Sequence, residues 1–139
     1  HEGKIVGLTD AVYENTPGEM CFIKDSRGGY VTEFGRLPEY GKLDIGPRLI
    51  DATIADAQRK GIGRLEYWSQ DRNAQRFYVR LGLREIGRHY RFRFAPPKAI
   101  AEDWSRVKKE HQIITKHPLE PHLCIGYEIR DFSRKYSDV

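Results

Sequence analysis

The 139-residue chain is 39% hydrophobic and 32% charged, within the range of a single globular domain and too short for two. Its apolar runs fall short of the roughly 18 to 20 residues that span a bilayer, and its start, HEGKIVG, reads as neither a signal nor a transit peptide. A net charge of +4 suits an anionic partner without saying whether that is a nucleotide cofactor, nucleic acid or only solvent. Cys21 and Cys124 each sit in apolar, strand-like runs and read as buried free thiols of a cytoplasmic protein, not as a disulfide or a metal pair.

Residues 3–14 read as a strand led by Ile5, Val6 and Leu8 and closed by the turn cluster Asn15-Thr16-Pro17-Gly18. A second strand is expected over residues 20–24. Asp25-Ser26-Arg27-Gly28-Gly29 supplies turn chemistry, so the next strand, residues 30–37, is predicted to pair antiparallel with it. A loop with Gly41 and Gly46 then leads into an amphipathic helix, residues 47–60, with Pro47 in first position and Gly61 as the stop signal. Leu49, Ile50, Thr53, Ile54 and Ala57 form its apolar face. A helix N-terminus entered through such a loop presents unpaired N–H groups and partial positive charge, which suits phosphate, although most helices begin with a turn and bind nothing.

Residues 64–68 form a short strand reached by a return connection, hence parallel to the strand before the helix, and the sheet is mixed. Ser69 or Asp71 caps a second helix, which buries Ala74, Phe77, Tyr78 and Leu81 and ends at Gly82. Alternation over residues 84–94 predicts a strand with one wet face, broken by Ala95-Pro96-Pro97. Ile100, Trp104, Val107, His111 and Ile114 mark a further amphipathic helix, and Pro118 and Pro121 bracket a turn before a last strand at residues 124–132. The expected architecture is one mixed α/β domain over residues 1–139.

Two pieces of this pattern resemble the GNAT family of acyl-CoA-dependent N-acyltransferases. The Pro38-Glu39-Tyr40, loop and helix of residues 38–60 are similar to its pyrophosphate-binding motif, and Ala74-Gln75-Arg76-Phe77-Tyr78-Val79-Arg80-Leu81-Gly82-Leu83 is similar to its A-x-x-x-Y-x-x-x-G-F helix. With flanking strands the likeness spans residues 3–95. The resemblance implies a GNAT-like fold that lacks the family's opening strand and two helices and carries a helical insert, residues 98–117, before the last strand. The missing helices usually wall the acyl acceptor, so the insert, another chain or a further segment is expected to replace them. A homodimer or a larger parent polypeptide is expected to cover the bared sheet edge and apolar face.

The same resemblance implies transfer of an acetyl or similar acyl group from acetyl-CoA, or another acyl-CoA, to a small-molecule or peptide amine by direct attack in a ternary complex, without metal. Gly41, Lys42, Leu43, Asp44, Ile45, Gly46, Pro47 and Arg48 would hold the diphosphate, largely through backbone groups, with charge from Lys42 and Arg48. Gly41 stands where the family has Gln or Arg, Asp44 where it has its first glycine, and Pro47 withdraws one N–H. Arg36 and Leu37 would offer main-chain bonds to the pantetheine arm. Tyr78 matches the tyrosine that sits near the thioester sulfur and can protonate the thiolate, or it is one more core aromatic beside Phe77. Asp71 occupies the place of a frequent asparagine. Asn73, two positions on, either serves instead or, like Asp71, caps the helix. Glu33 is the candidate base, directly or through water, against the reading of a solvated strand carboxylate.

Two other readings stand beside this one. Arg88-His89-Tyr90-Arg91-Phe92-Arg93-Phe94 would suit a sheet-type RNA or single-strand binder. Alternation puts its aromatics and most of its cations on opposite faces and no other strand repeats it, which disfavours nucleic acid. The other is a degenerate GNAT-fold module for binding or dimerisation. His89, His111, His117 and His122 have no zinc-site partner pattern.

Overall fold

The computed structural model describes residues 1–91, 122–130 and 132–133, with backbone alone at Tyr90, Arg91 and His122. The elements are β1 (Gly7–Tyr13), β2 (Gly29–Arg36), α1 (Ile45–Arg59), β3 (Leu65–Ser69), α2 (Arg72–Leu81), β4 (Arg84–Arg91) and β5 (His122–Ile129), with a 3-10 turn at Pro38–Tyr40 before α1. The strands form one sheet in the order β1-β2-β3-β5-β4. β1 and β2 are antiparallel, β2 and β3 parallel, β3 and β5 antiparallel, so the mixed α/β sheet is the one expected. By its contacts the chain divides into two units, His1–Gly87 with Ile125–Val139, and Arg88–Cys124. Of the second, only the adjoining ends of β4 and β5 are described. The predicted helix at 98–117 and Phe92 to Pro97 lie outside the described residues.

β1 corrects the first expectation. It starts at Gly7, Ile5 before it is exposed, and Leu8 and Val12 point to solvent. The smaller Thr9 and Ala11, with Tyr13, occupy the half-buried face, where Thr9 Oγ1 meets Thr53 Oγ1 of α1 at 3.2 Å and Tyr13 donates to Asp56 at 2.7 Å. Space explains the choice, because even a Cβ on Gly7 would lie 2.7 Å from Ile45. A larger side chain on that face would push the helix away.

The second correction is that residues 20–24 are not a strand, and β2 pairs with β1 instead. Two buried carboxylates replace the missing ladder. Glu14 accepts from the main-chain N–H of Met20, Cys21 and Gly28 at 2.9, 2.6 and 2.8 Å. Glu66 of β3 accepts from Phe22 and Ile23, each at 2.9 Å. Burial raises the Glu14 carboxyl, but the three donors outweigh it and hold the group at about 2. The segment 15–28 is thereby strapped over the sheet, with Phe22 edge-on to Trp68 at 5.6 Å.

Arg64 neutralises this region, donating to Glu66 at 2.7 Å and to the Ile23 carbonyl at 2.7 Å, and lying 3.5 Å from Glu128. Glu128 is also paired with Arg84 and with Arg130. Such a buried network adds little net stability, but losing one member strands the rest at a cost of roughly 3–5 kcal/mol. Cys21, buried and free, has its thiol pushed up to about 12 by burial and by Glu66 and Glu14. Cys124 is also free and is only partly buried.

α1 begins at Ile45, two residues before the predicted start, with Asp44 as its N-cap residue. Pro47 tolerates third position because first-turn N–H groups have no acceptor within the helix. Ile50, Thr53, Ile54 and Ala57 are buried as the spacing predicts, and Gly61, at φ 71°, follows the last turn. Asp71 caps α2 by accepting from Asn73 N–H at 2.8 Å, and Gly82 ends it at φ 80°. Among the described residues, no helix is long and apolar enough to cross a membrane.

Candidate active site

β2 and β3 pair over three residues only, ending at Val31 opposite Tyr67, although β2 runs on to Arg36 and β3 to Ser69. A bulge in β2 accompanies the divergence. Asp10 pairs with Glu33 and Ala11 with Val31, so Thr32 is the extra residue, and its hydroxyl donates to Asp10 at 2.6 Å. The bulge leaves both Val31 and Phe34 on the helix side and increases the local twist. Between the separating strands lies a cleft of about 240 Å³. Thr32, Glu33 and Phe34 form one wall, Trp68 and Ser69 the other, and Asp71, Ala74 and Tyr78 close the α2 side.

Its floor is aromatic. Phe34, Tyr67 and Tyr78 are in mutual contact, with ring centroids 5.8, 6.0 and 5.1 Å apart, and Tyr127 supports Tyr78 at 5.5 Å. Tyr78 is 4% exposed, and its hydroxyl makes no hydrogen bond among the described residues. Burial pushes its phenol up, and Asp71 and Tyr127 add to the shift, so the proton stays on through the neutral range.

Phe77 joins this cleft to the mouth of α1. Its ring stacks on Phe34 at 5.8 Å and 24°, while its edge lies 2.8 Å from where a Cβ of Gly46 would stand. A Cβ at 46 would therefore have to displace the Phe77 ring. At that mouth the N–H groups of Asp44 and Gly46 have no acceptor among the described residues, and the exposed Asp44 carboxylate makes no capping bond.

The structure sorts the sequence-predicted residues into groups. Glu33, Asp71 and Tyr78 all line the cleft. Gly41, Lys42, Leu43, Asp44, Ile45, Gly46, Pro47 and Arg48 form the loop and first turn of α1, with Lys42, Asp44 and Arg48 exposed and Pro47 buried. Arg36 folds back over Gly41, its guanidinium 3.4 Å from the carbonyls of Leu37 and Pro38. Leu37 departs from expectation, because its N–H is taken by Val6 at 2.8 Å and its carbonyl by Tyr40 at 3.1 Å. Strand alternation turns the main-chain groups of Arg36 the other way, away from β1. Asn73 is exposed, and its N–H serves the Asp71 cap. Trp68, Ser69 and Phe34 are lining residues that sequence reasoning missed. Among the described residues no group of three His, Cys, Asp or Glu is placed to hold a metal ion.

A family model described as the acetyltransferase (GNAT) family matches residues 1–83. Among solved structures, the chain is similar to a mutant agmatine N-acetyltransferase in its apo form, with a TM-score of 0.51 and 17% identity over 74% of this chain. That alignment spans 44% of the other chain, less than half its length. A putative acetyltransferase from Agrobacterium tumefaciens aligns over 90% of this chain and 77% of its own with a TM-score of 0.49 and 14% identity. The likeness to the agmatine N-acetyltransferase, at 17% identity, is one of fold. No curated protein matches the chain.

Proposed function

The chain belongs to the acetyltransferase (GNAT) family, and from that premise we propose that it transfers an acetyl or similar short acyl group from acyl-CoA to an amine by direct attack in a ternary complex. The observation that carries this reading is the cleft where β2 and β3 part, together with uncommitted N–H groups at Asp44 and Gly46 at the start of α1. Such groups, with the helix dipole, favour a diphosphate, and Lys42 and Arg48 add mobile positive charge. Asp44 opposes them in part, but its carboxylate is free to turn to water. When bound, acyl-CoA would supply an acyl group activated as a thioester.

The chain's own residues would do the rest. Main-chain groups of Arg36 would align the pantetheine arm along the unpaired edge of β2. Tyr78 would hold its proton toward the sulfur, stabilising the thiolate as it leaves. Glu33 would take the proton that the amine must lose before it attacks. Holding both reactants in one cleft removes much of the entropic barrier. The activity is assigned to the cytoplasm, and a second copy of the chain, or the rest of a longer polypeptide, would cover the exposed Ile5, Leu8, Val12, Met20 and Phe22.

Calorimetric titration with acetyl-CoA, followed by acetyl transfer to a panel of amines, tests the reading. A dissociation constant of roughly micromolar order, about −8 kcal/mol, is expected. Absence of binding at millimolar acetyl-CoA refutes it, and salt-sensitive RNA binding in its place would favour the nucleic-acid reading.

A further inference from the structure

Past Val31 and Tyr67 no ladder joins β2 to β3, so the two strands carry their helices across an unpaired gap, α1 packing mainly on β1 and β2 and α2 on β3. Side chains span what the backbone leaves open. Phe77 of α2 does so in three directions: its ring stacks on Phe34 of β2 at 5.8 Å, lies 5.7 Å from the ring of Tyr78, and sets its tip against the backbone of Gly46 in the first turn of α1. A Cβ at 46 would stand 2.8, 3.2 and 3.6 Å from Cζ, Cε2 and Cε1 of that ring. Those three atoms are ones that a leucine side chain lacks. The ring is only half-buried, yet it does not yield freely, because Phe34 lies against its face and is itself in contact with Tyr67 and Tyr78 at 5.8 and 6.0 Å.

We propose that Phe77 is a positioning residue, a spacer between the start of α1 and the cleft, through which a change at Gly46 reaches Phe34 and Tyr78. Its effect on turnover rests on the acyl-transfer reading, in which Tyr78 holds its proton toward the sulfur, whereas the spacing itself is a property of the packing alone. Close-packed rings pass a displacement on to their neighbours. A misplacement of about 1 Å in a reacting group can cost on the order of a hundredfold in rate. A methyl group added at 46 leaves the N–H groups of Asp44 and Gly46 in place, so affinity for acetyl-CoA survives while turnover falls. A residue acting only through the diphosphate shows the reverse, weaker binding at unchanged kcat.

Gly46→Ala, Phe77→Leu and the double variant form the test, with kcat and the dissociation constant for acetyl-CoA measured separately and the ring resonances of Phe34 and Tyr78 followed by NMR in the ligand-free protein. Gly46→Ala is expected to lower kcat about tenfold, to change acetyl-CoA affinity by less than about threefold, and to move both sets of resonances. In the Phe77→Leu background the same methyl group is expected to cost less than about threefold in kcat relative to Phe77→Leu alone, and to leave the resonances where Phe77→Leu puts them. A loss confined to affinity, or a loss in kcat that Phe77→Leu does not relieve, overturns the proposal and leaves acyl transfer standing. Should Gly46→Ala fail to fold, recovery of the fold in the double variant supports the spacer, and a double variant that also fails overturns it. A wild-type chain that neither binds acetyl-CoA nor transfers its acetyl group refutes acyl transfer, and the resonances then decide: shifts that vanish with Phe77→Leu uphold the spacer, and unmoved rings overturn it.

Discussion

Replacing Gly126 with alanine tests how tightly the strap side of the sheet is packed. Gly126 lies opposite Trp68 in the β3–β5 register, and a Cβ there would come within 2.6 Å of indole atoms Cε2, Cζ2 and Cδ2. Ordinary carbon contacts begin near 3.5 Å, so the ring must retreat by about 1 Å. It is hemmed in, since Phe22 packs on it and a Cβ at Gly87 would also meet it at 3.2 Å. Overpacking of this kind costs about 1–3 kcal/mol. The retreat also strains the 3.2 Å bond from Trp68 Nε1 to Glu66, and a bond to a charged group contributes about 1.5–3 kcal/mol. Partial loss of both gives about 3 kcal/mol, or a fall of roughly 10 °C in melting temperature for a chain of this size. Thermal unfolding of Gly126→Ala, Trp68→Leu and the double variant forms the assay. The indole account requires that Gly126→Ala cost far less in the Trp68→Leu background. A melting temperature within about 1 °C of wild type, or strictly additive losses, would refute it.

Three further outcomes follow from the same geometry. Because Glu14 is held at about 2 against an ordinary 4.5, the stability it contributes is fully present above pH 4.5 and drains away as pH falls through 2. Urea midpoints of wild type and Glu14→Gln should therefore converge as pH drops from 5 toward 2, and a constant gap would count against the strap. Gly82→Ala forces a Cβ into the left-handed region at φ 80°, and should lower unfolding free energy by about 1–2 kcal/mol in chemical denaturation. Tyr78→Phe should cut kcat for acetyl transfer by about tenfold to a hundredfold, with little change in acetyl-CoA affinity. Unaltered turnover would reduce Tyr78 to a core aromatic.

Local signals were legible and distant ones were not. The cap at Asp71, the stripe of Ala74, Phe77, Tyr78 and Leu81, and the stop at Gly82 sit within one short stretch, and α2 follows them closely. The stripe of α1 is equally local, whereas its first turn is not, because proline is admissible at several first-turn positions. Met20-Cys21-Phe22-Ile23 has the composition of a strand. What it lacks is a neighbouring strand, and its amides go to Glu14 and to Glu66, which is remote in sequence. Periodicity carries no trace of a carboxylate that accepts main-chain N–H groups. The same limit governs the cleft. Glu33, Asp71 and Tyr78 can be picked out one at a time by residue type, but Phe34, Trp68 and Ser69 become lining residues only where β2 and β3 part company.

The strap held by Glu14 and Glu66 has a consequence for variation. Amides are common to every residue but proline, so the grip on residues 20–23 is indifferent to which side chains they carry. Exposed Met20 and Phe22 can be exchanged for other surfaces while the backbone keeps its course, and proline is the substitution the clasp would reject. The fold thus carries a replaceable facing on one side of its sheet.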